Sequence, residues 1–120
     1  MIHLATMYKT QNKDDHAEKY YLMAIDKEND VAMYNLASMY ETQNKYDLAE
    51  KYYLMAISKN NNESLNNLAY MYETQKKINL AERYYLMSIE KGDDDAMYNL
   101  GYMYKTQKKI NLFLRFIHIC

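Results

Sequence analysis

The sequence contains no proline, no tryptophan and only two glycines, Gly92 and Gly101. An all-β chain needs many tight turns rich in glycine and proline, so their scarcity points to helices. Cys120 is the single cysteine. One thiol forms no intramolecular disulfide, so oxidation does not hold the fold, and a reducing, cytoplasmic location is the expectation. No apolar run approaches the roughly 18 residues of a membrane span. The opening segment, Met1 to Lys9, lacks the basic and apolar regions of a signal peptide. The net charge of -1 gives no general attraction to nucleic acid or anionic membranes, so neither is an expected partner.

The usual signatures of catalysis are also missing. There is no phosphate-binding glycine-rich loop and no nucleophile elbow. His3, His16 and His118 are scattered and have no HxxxH spacing, so they read as exposed or capping residues rather than zinc ligands. Asp93-Asp94-Asp95 lacks the spaced ligands and downstream glutamate of a calcium loop and reads as charge at a helix N-terminus. Lys76-Lys77 and Lys108-Lys109 are too small a patch to predict nucleic-acid binding. Cys120 reads as a poor candidate nucleophile, because a lone thiol needs an activating base around it. The expectation is a protein that is not an enzyme, with no catalytic residues, no metal site and no cofactor.

What the chain does have is a repeat. Residues 7–38 begin MYKTQNKDDHAEKYYLMAI, residues 39–70 begin MYETQNKYDLAEKYYLMAI, and residues 71–102 begin MYETQKKINLAERYYLMSI. A fourth copy starts at Met103 with MYKTQKKINL. Tyr8, Tyr40, Tyr72 and Tyr104 recur at intervals of 32 residues. Hydrophobic residues make up 49% of the chain, enough for a packed core, and their spacing shows where they go. Met33, Leu36, Ala37 and Tyr40 lie at i, i+3, i+4 and i+7, one face of a helix. Ala49, Tyr53 and Ala56 mark the buried face of a second helix, its small residues allowing close approach. The spacing predicts eight helices, at about 1–11, 14–27, 30–43, 46–59, 62–75, 78–91, 94–107 and 110–119. They form about four helix-turn-helix repeats, at about 1–29, 30–61, 62–93 and 94–120, within a single domain covering 1–120. Asp15-x-x-Glu18, Asp47-x-x-Glu50 and Asn79-x-x-Glu82 have the form of capping boxes for the second helices. Gly92 suits a helix C-terminus, and the aspartates after it suit the next N-terminus.

Met97-Tyr98-Asn99-Leu100-Gly101-x-x-Tyr104, with Ala81 and Tyr85 at the later positions of the preceding copy, resembles the tetratricopeptide repeat. Glu90-Lys91-Gly92-Asp93-x-Asp95-Ala96-x-x-Asn99-Leu100-Gly101 resembles the turn between Sel1-like repeats. The period is shorter than the 34 residues of a standard tetratricopeptide repeat, and the resemblance runs to about Leu112. It implies an all-α, right-handed α-solenoid whose concave face, lined by the first helix of each repeat, binds a partner. Carried over position by position, that face holds one stripe of Asn35, Asn67 and Asn99, continued by His3. Beside it run Tyr34, Asn66 and Tyr98, and then Ser38, Tyr70 and Tyr102, continued by Thr6; near the helix end lie Lys9, Glu41, Glu73 and Lys105, then Thr10, Thr42, Thr74 and Thr106. A carboxamide both donates and accepts, so an asparagine stripe can pair with a peptide backbone whatever its side chains. Near-identical copies also repeat residues that no partner touches, so the regular spacing has that second reading.

The implied function is a non-enzymatic protein-protein interaction scaffold holding a peptide or a partner helix. Two alternatives stay open after Leu112. The earlier copies continue Ala-Glu-Arg/Lys-Tyr-Tyr, whereas this one continues Phe113-Leu114-Arg115-Phe116-Ile117-His118-Ile119-Cys120. Phe113 stands in the place of a packed alanine and is expected to push the last helix off the packing angle of the others. Besides covering the end of the core, the apolar tail fits a homo-oligomer assembled through the C-terminal end, or a truncated repeat-gene product.

Overall fold

The computed structural model describes residues 13–119. All regular structure among them is helical: α1 (Asp14–Ile25), α2 (Asp30–Thr42), α3 (Tyr46–Ser58), α4 (Glu63–Thr74), α5 (Ile78–Glu90) and α6 (Asp94–Ile119). The helix expected over residues 1–11 lies outside the described residues. The chain divides into two compact units between Asn67 and Leu68, within α4.

In the first unit α2 packs against both α1 and α3. Met33, Leu36, Ala37 and Tyr40 of α2 are buried, as are Ala49, Tyr53 and Ala56 of α3, so both predicted apolar faces form core. In the second unit α5 packs against α6. Its core takes Leu68, Ala69, Met71 and Tyr72 from α4, Ala81 and Tyr85 from α5, and Ala96, Leu100 and Met103 from α6. Alanine recurs at Ala17, Ala49 and Ala81, each with no exposed surface. A methyl group there lets two helices approach more closely than a larger side chain would.

The turns share one device. Glu28, Asn44, Asn60, Lys76 and Gly92 all have positive φ, between 61° and 91°. After α2, Asn44 N–H donates to the Glu41 carbonyl at 3.0 Å and Lys45 N–H to the Tyr40 carbonyl at 2.9 Å. After α4, Lys76 and Lys77 make the same pair of bonds to Glu73 and Tyr72. A left-handed residue past the helix end thus satisfies carbonyls that would otherwise be orphaned. The turn lysines also place their ammonium groups 5.8 Å from ring centroids, Lys45 over Tyr40 and Lys77 over Tyr72.

The predicted capping boxes do not form. α1, α3 and α5 begin after Lys13, Lys45 and Lys77, none of which makes a side-chain cap bond. Asp15, Asp47 and Asn79 therefore fall at the second helical position, too late to cap. The side-chain caps instead belong to the first helix of each repeat. Asn29 accepts from Ala32 N–H at 3.0 Å, Asn61 from Ser64 N–H at 3.1 Å, and Asp93 from Ala96 N–H at 3.3 Å. The glutamates of the supposed boxes serve packing: Tyr40 Oη donates to Glu18 at 2.7 Å, and Tyr104 Oη donates to Glu82.

The largest correction concerns the fourth copy. The helices expected over 94–107 and 110–119 are one continuous helix, α6, of 26 residues, so this copy is not a helix-turn-helix. Thr106-Gln107-Lys108-Lys109-Ile110-Asn111-Leu112 repeats the sequence of residues 74–80 letter for letter. Residues 74–80 nevertheless contain the left-handed turn at Lys76, whereas residues 106–112 are helical throughout. The local sequence permits both, so packing beyond the turn decides.

In the α4–α5 hairpin, Tyr85 Oη donates to Glu73 at 2.7 Å, Ala81 is fully buried, and the Tyr72 and Tyr84 rings lie 5.7 Å apart. The fourth copy has Lys105 in the place of Glu73, Ile117 in that of Tyr85 and Phe113 in that of Ala81. It has lost both partners of the hydrogen bond and the small residue of the close approach. With nothing to reward the left-handed residue, extending the helix is the lower-energy path.

Candidate functional site

The second unit carries two adjoining recesses. The larger, ≈ 380 Å³, is lined by Tyr70, Glu73, Thr74, Lys76, Ile78, Met103, Thr106, Gln107 and Ile110. The smaller, ≈ 190 Å³, is lined by Tyr70, Glu73, Tyr98, Asn99 and Tyr102. They share Tyr70 and Glu73, so together they follow α6 from Tyr98 to Ile110. Twelve helical steps span ~18 Å, the length of about five residues of extended peptide. One wall, Thr106, Gln107 and Ile110, exists as a helix face only because α6 does not turn at Lys108.

Three of the residues around the smaller recess are unusually open. Tyr98 is 72% exposed, Tyr102 58% and Tyr70 52%. The Tyr98 and Tyr102 rings stack with centroids 6.4 Å apart and planes at 23°, as side chains four residues apart on a helix can. The floor is firmer. Glu73 is half-buried and accepts from the fully buried Tyr85. Burial, followed by this bond to a carboxylate, pushes the Tyr85 hydroxyl well above its ordinary pKa.

Of the nine residues expected at a partner-binding face, Tyr70, Tyr98, Asn99 and Tyr102 meet at this recess. Two others meet in the first unit, where Asn67 Nδ2 donates to Tyr34 Oη at 2.8 Å. The Tyr34 ring also lies 6.2 Å from that of Tyr53, whose hydroxyl donates to Glu41 at 2.7 Å. The Asn67 amide is thus partly committed within the chain. Asn35, Ser38 and Asn66 are half-buried and line neither recess.

Glu73 was legible as a groove residue near its helix end, but not as a packing partner. Glu41 and Glu73 each stand twelve residues before a tyrosine, Tyr53 or Tyr85, while the first and fourth copies have Lys9 and Lys105 in that place. A glutamate that changes sign at the two outer copies is the signal. It identifies a packing partner for the tyrosine twelve residues on. Among the described residues no three His, Cys, Asp or Glu side chains group as a metal site. No helix among them is long and apolar enough to cross a membrane.

Two tetratricopeptide repeat profiles match residues 32–63 and 63–91, together half of the chain, and a Sel1 repeat profile matches residues 5–29 and 94–109. The chain belongs to the tetratricopeptide/Sel1 repeat family. No curated protein matches it closely enough to stand beside these profiles. The division of the profiles follows the sequence. The two complete hairpins, α2–α3 and α4–α5, lie under the tetratricopeptide matches, and the Sel1 match resumes at Asp94, where α6 begins. Proteins of this tetratricopeptide/Sel1 class are repeat scaffolds that generally engage other proteins, so the recesses along α6 are sites at which a protein partner is to be sought.

Proposed function

We propose that this tetratricopeptide/Sel1 repeat protein is a non-enzymatic interaction module that holds an extended peptide segment of a partner along α6. The observation that carries this reading is the pair of joined recesses between Tyr98 and Ile110. Their walls offer what extended peptides need: rigid aromatic surface from Tyr70, Tyr98 and Tyr102, a carboxamide at Asn99, and hydroxyls at Thr74 and Thr106. Tyr34, Asn35, Ser38, Asn66 and Asn67 form, by the same reading, a separate proposed contact face within the first unit. A cytoplasmic setting accords with the single cysteine. Peptides selected from a random library against the wild type are expected to lose about tenfold or more in affinity in the Tyr98→Ala/Tyr102→Ala variant, at unchanged helicity. Equal affinity for wild type and variant would place binding elsewhere and sink the reading.

A second reading, self-association through α6, rests on a different face of that helix. Met33 and Leu65 are each 2% exposed, whereas Met97, their counterpart, is 50% exposed. Tyr40 and Tyr72 are buried, but Tyr104 is 46% exposed. Ala37 and Ala69 are fully buried, and their counterpart Gly101 is exposed, with open space where a Cβ would stand. Met97, Gly101 and Tyr104, at i, i+4 and i+7, form the stripe left uncovered by the missing second helix. The occupant proposed for it is α6 of a second copy running antiparallel. Asp94 and Asp95 lie at one end of the helix and Lys105, Lys108, Lys109 and Arg115 in its other half, so antiparallel pairing sets opposite charges together. Sedimentation is expected to show a concentration-dependent dimer that Gly101→Glu dissociates, since a Cβ at Gly101 meets nothing within 4 Å in its own chain. A monomer at every concentration rules this reading out.

A further inference from the structure

We propose that the smaller recess, lined by Tyr70, Glu73, Tyr98, Asn99 and Tyr102, receives one basic side chain, arginine or lysine, of the bound peptide. This rests on the peptide-binding reading above and names what the site selects.

The first support is the way this chain already uses tyrosine. Five rings carry a cation of the chain's own: Lys19 over Tyr20, Lys45 over Tyr40, Lys51 over Tyr52, Lys77 over Tyr72 and Arg83 over Tyr84, at 5.2 to 5.8 Å from the centroid. Among the described residues, none of these stacks involves Tyr70, Tyr98 or Tyr102, which are all more than half exposed. Three open rings therefore line a recess at which none of these cation–ring contacts falls. An aromatic ring attracts a cation most strongly where water is partly excluded, which a recess provides and an open surface does not.

The second support is charge. Glu73 is the only ionisable carboxylate or amine among the lining residues. It uses one of a carboxylate's roughly four acceptor positions on Tyr85, which leaves acceptor capacity for a guanidinium or ammonium group. Asp95 lies on the same strip of α6 as Asn99 and Tyr102, at i, i+4 and i+7, and is exposed. The nearest opposing charges by position are Lys76, which lines the larger recess, and Lys105, three residues beyond Tyr102. They bound the favourable region and place the cation at the Tyr98 end. The volume of ≈ 190 Å³ suits one side chain rather than a helix. The peptide would then run toward Ile110, where Ile78, Met103 and Ile110 offer an apolar wall to a neighbouring residue.

The test is an NMR titration of the full chain with acetyl-arginine amide and with acetyl-citrulline amide, its neutral near-isostere. Arginine is expected to shift the ring signals of Tyr70, Tyr98 and Tyr102 saturably and to bind at least about fivefold more tightly than citrulline. The same factor should be lost in Tyr98→Leu, which keeps apolar area but removes the ring, since about 1 kcal/mol of cation–π attraction corresponds to about fivefold. Equal binding of the two ligands, or arginine affinity untouched by Tyr98→Leu, overturns the proposal. The library peptides separate this failure from that of the parent reading. Peptides that need Tyr98 but carry no basic residue leave peptide binding standing and remove the cation preference, whereas the absence of any Tyr98-dependent peptide removes both.

Discussion

Phenylalanine in place of Ala81 is expected to destabilise the protein by about 3 kcal/mol, the upper part of the range for overpacking a close helix contact, as measured by chemical denaturation. Ala81 has no exposed surface and sits where α5 folds back after the turn at Lys76. A ring there needs room that the three-residue connection between α4 and α5 cannot give without moving α5 as a whole. The conservative Ala81→Ser should cost far less, which separates volume from any general sensitivity of the helix. The change reproduces the residue that the fourth copy already carries at Phe113. It therefore also tests why α6 is straight. The reciprocal variant, Lys105→Glu with Phe113→Ala and Ile117→Tyr, restores each partner of the Glu73–Tyr85 hairpin in the fourth copy. It is expected to bring back a turn at Lys108, seen as a break in the helical NMR shifts of residues 107–109. A tolerated Ala81→Phe would show that the side chain at this position does not decide between turn and helix.

Alkaline pH is expected to unfold this protein by ionising tyrosines that the folded chain holds protonated. Burial, reinforced by hydrogen bonds to Glu41 and Glu73, raises the pKa of the Tyr53 and Tyr85 hydroxyls far above their ordinary value near 10. Burial with the bond to Glu18 raises Tyr40 in the same direction. Below about pH 10 these hydroxyls are protonated in both the folded and the unfolded chain, and their contribution to stability is fully present. Above it the unfolded tyrosines ionise while the folded ones cannot. The unfolded state then binds fewer protons, and stability falls as pH rises. By about pH 11 each fully buried hydroxyl should remove about 1 kcal/mol. Tyrosinate absorbance from Tyr40, Tyr53 and Tyr85 is expected to appear only together with loss of helicity. Tyr53→Phe removes one ionisable group. It should lower stability at neutral pH, because Glu41 loses its donor, yet flatten the alkaline decline. A decline of unchanged steepness would mean that Tyr53 is not one of the groups responsible.

Both results turn on features whose legibility in the sequence differed. The period of 32 residues placed the hairpins, because a spacing of apolar residues at three and four is a property of each helix taken alone. For the same reason Met33, Leu36, Ala37 and Tyr40, and Ala49, Tyr53 and Ala56, could be named as core from their spacing. The left-handed turn at Gly92 was equally visible, since glycine pays no steric penalty there. The caps were misplaced because Asp-x-x-Glu fits two roles. Only the position of the preceding repeat shows that Glu18 and Glu82 serve the hydroxyls of Tyr40 and Tyr104, 22 residues further along.

The recess was half visible. Tyr70, Tyr98, Asn99 and Tyr102 could be listed as one face of the first helices, with Glu73 near the helix end, but not the bond that holds Glu73, since it comes from a tyrosine of the next helix. Gln107 and Ile110 could not be listed, because the sequence shared by residues 74–80 and 106–112 predicts a turn in both places. Local sequence determined the helices, their period and their buried faces, each of which depends on neighbours within a few residues. Whether Thr-Gln-Lys-Lys-Ile-Asn-Leu turns or continues was decided by tertiary structure. The left-handed residue costs free energy that only a returning helix can offset, and in the fourth copy Phe113, Ile117 and Lys105 withhold that return.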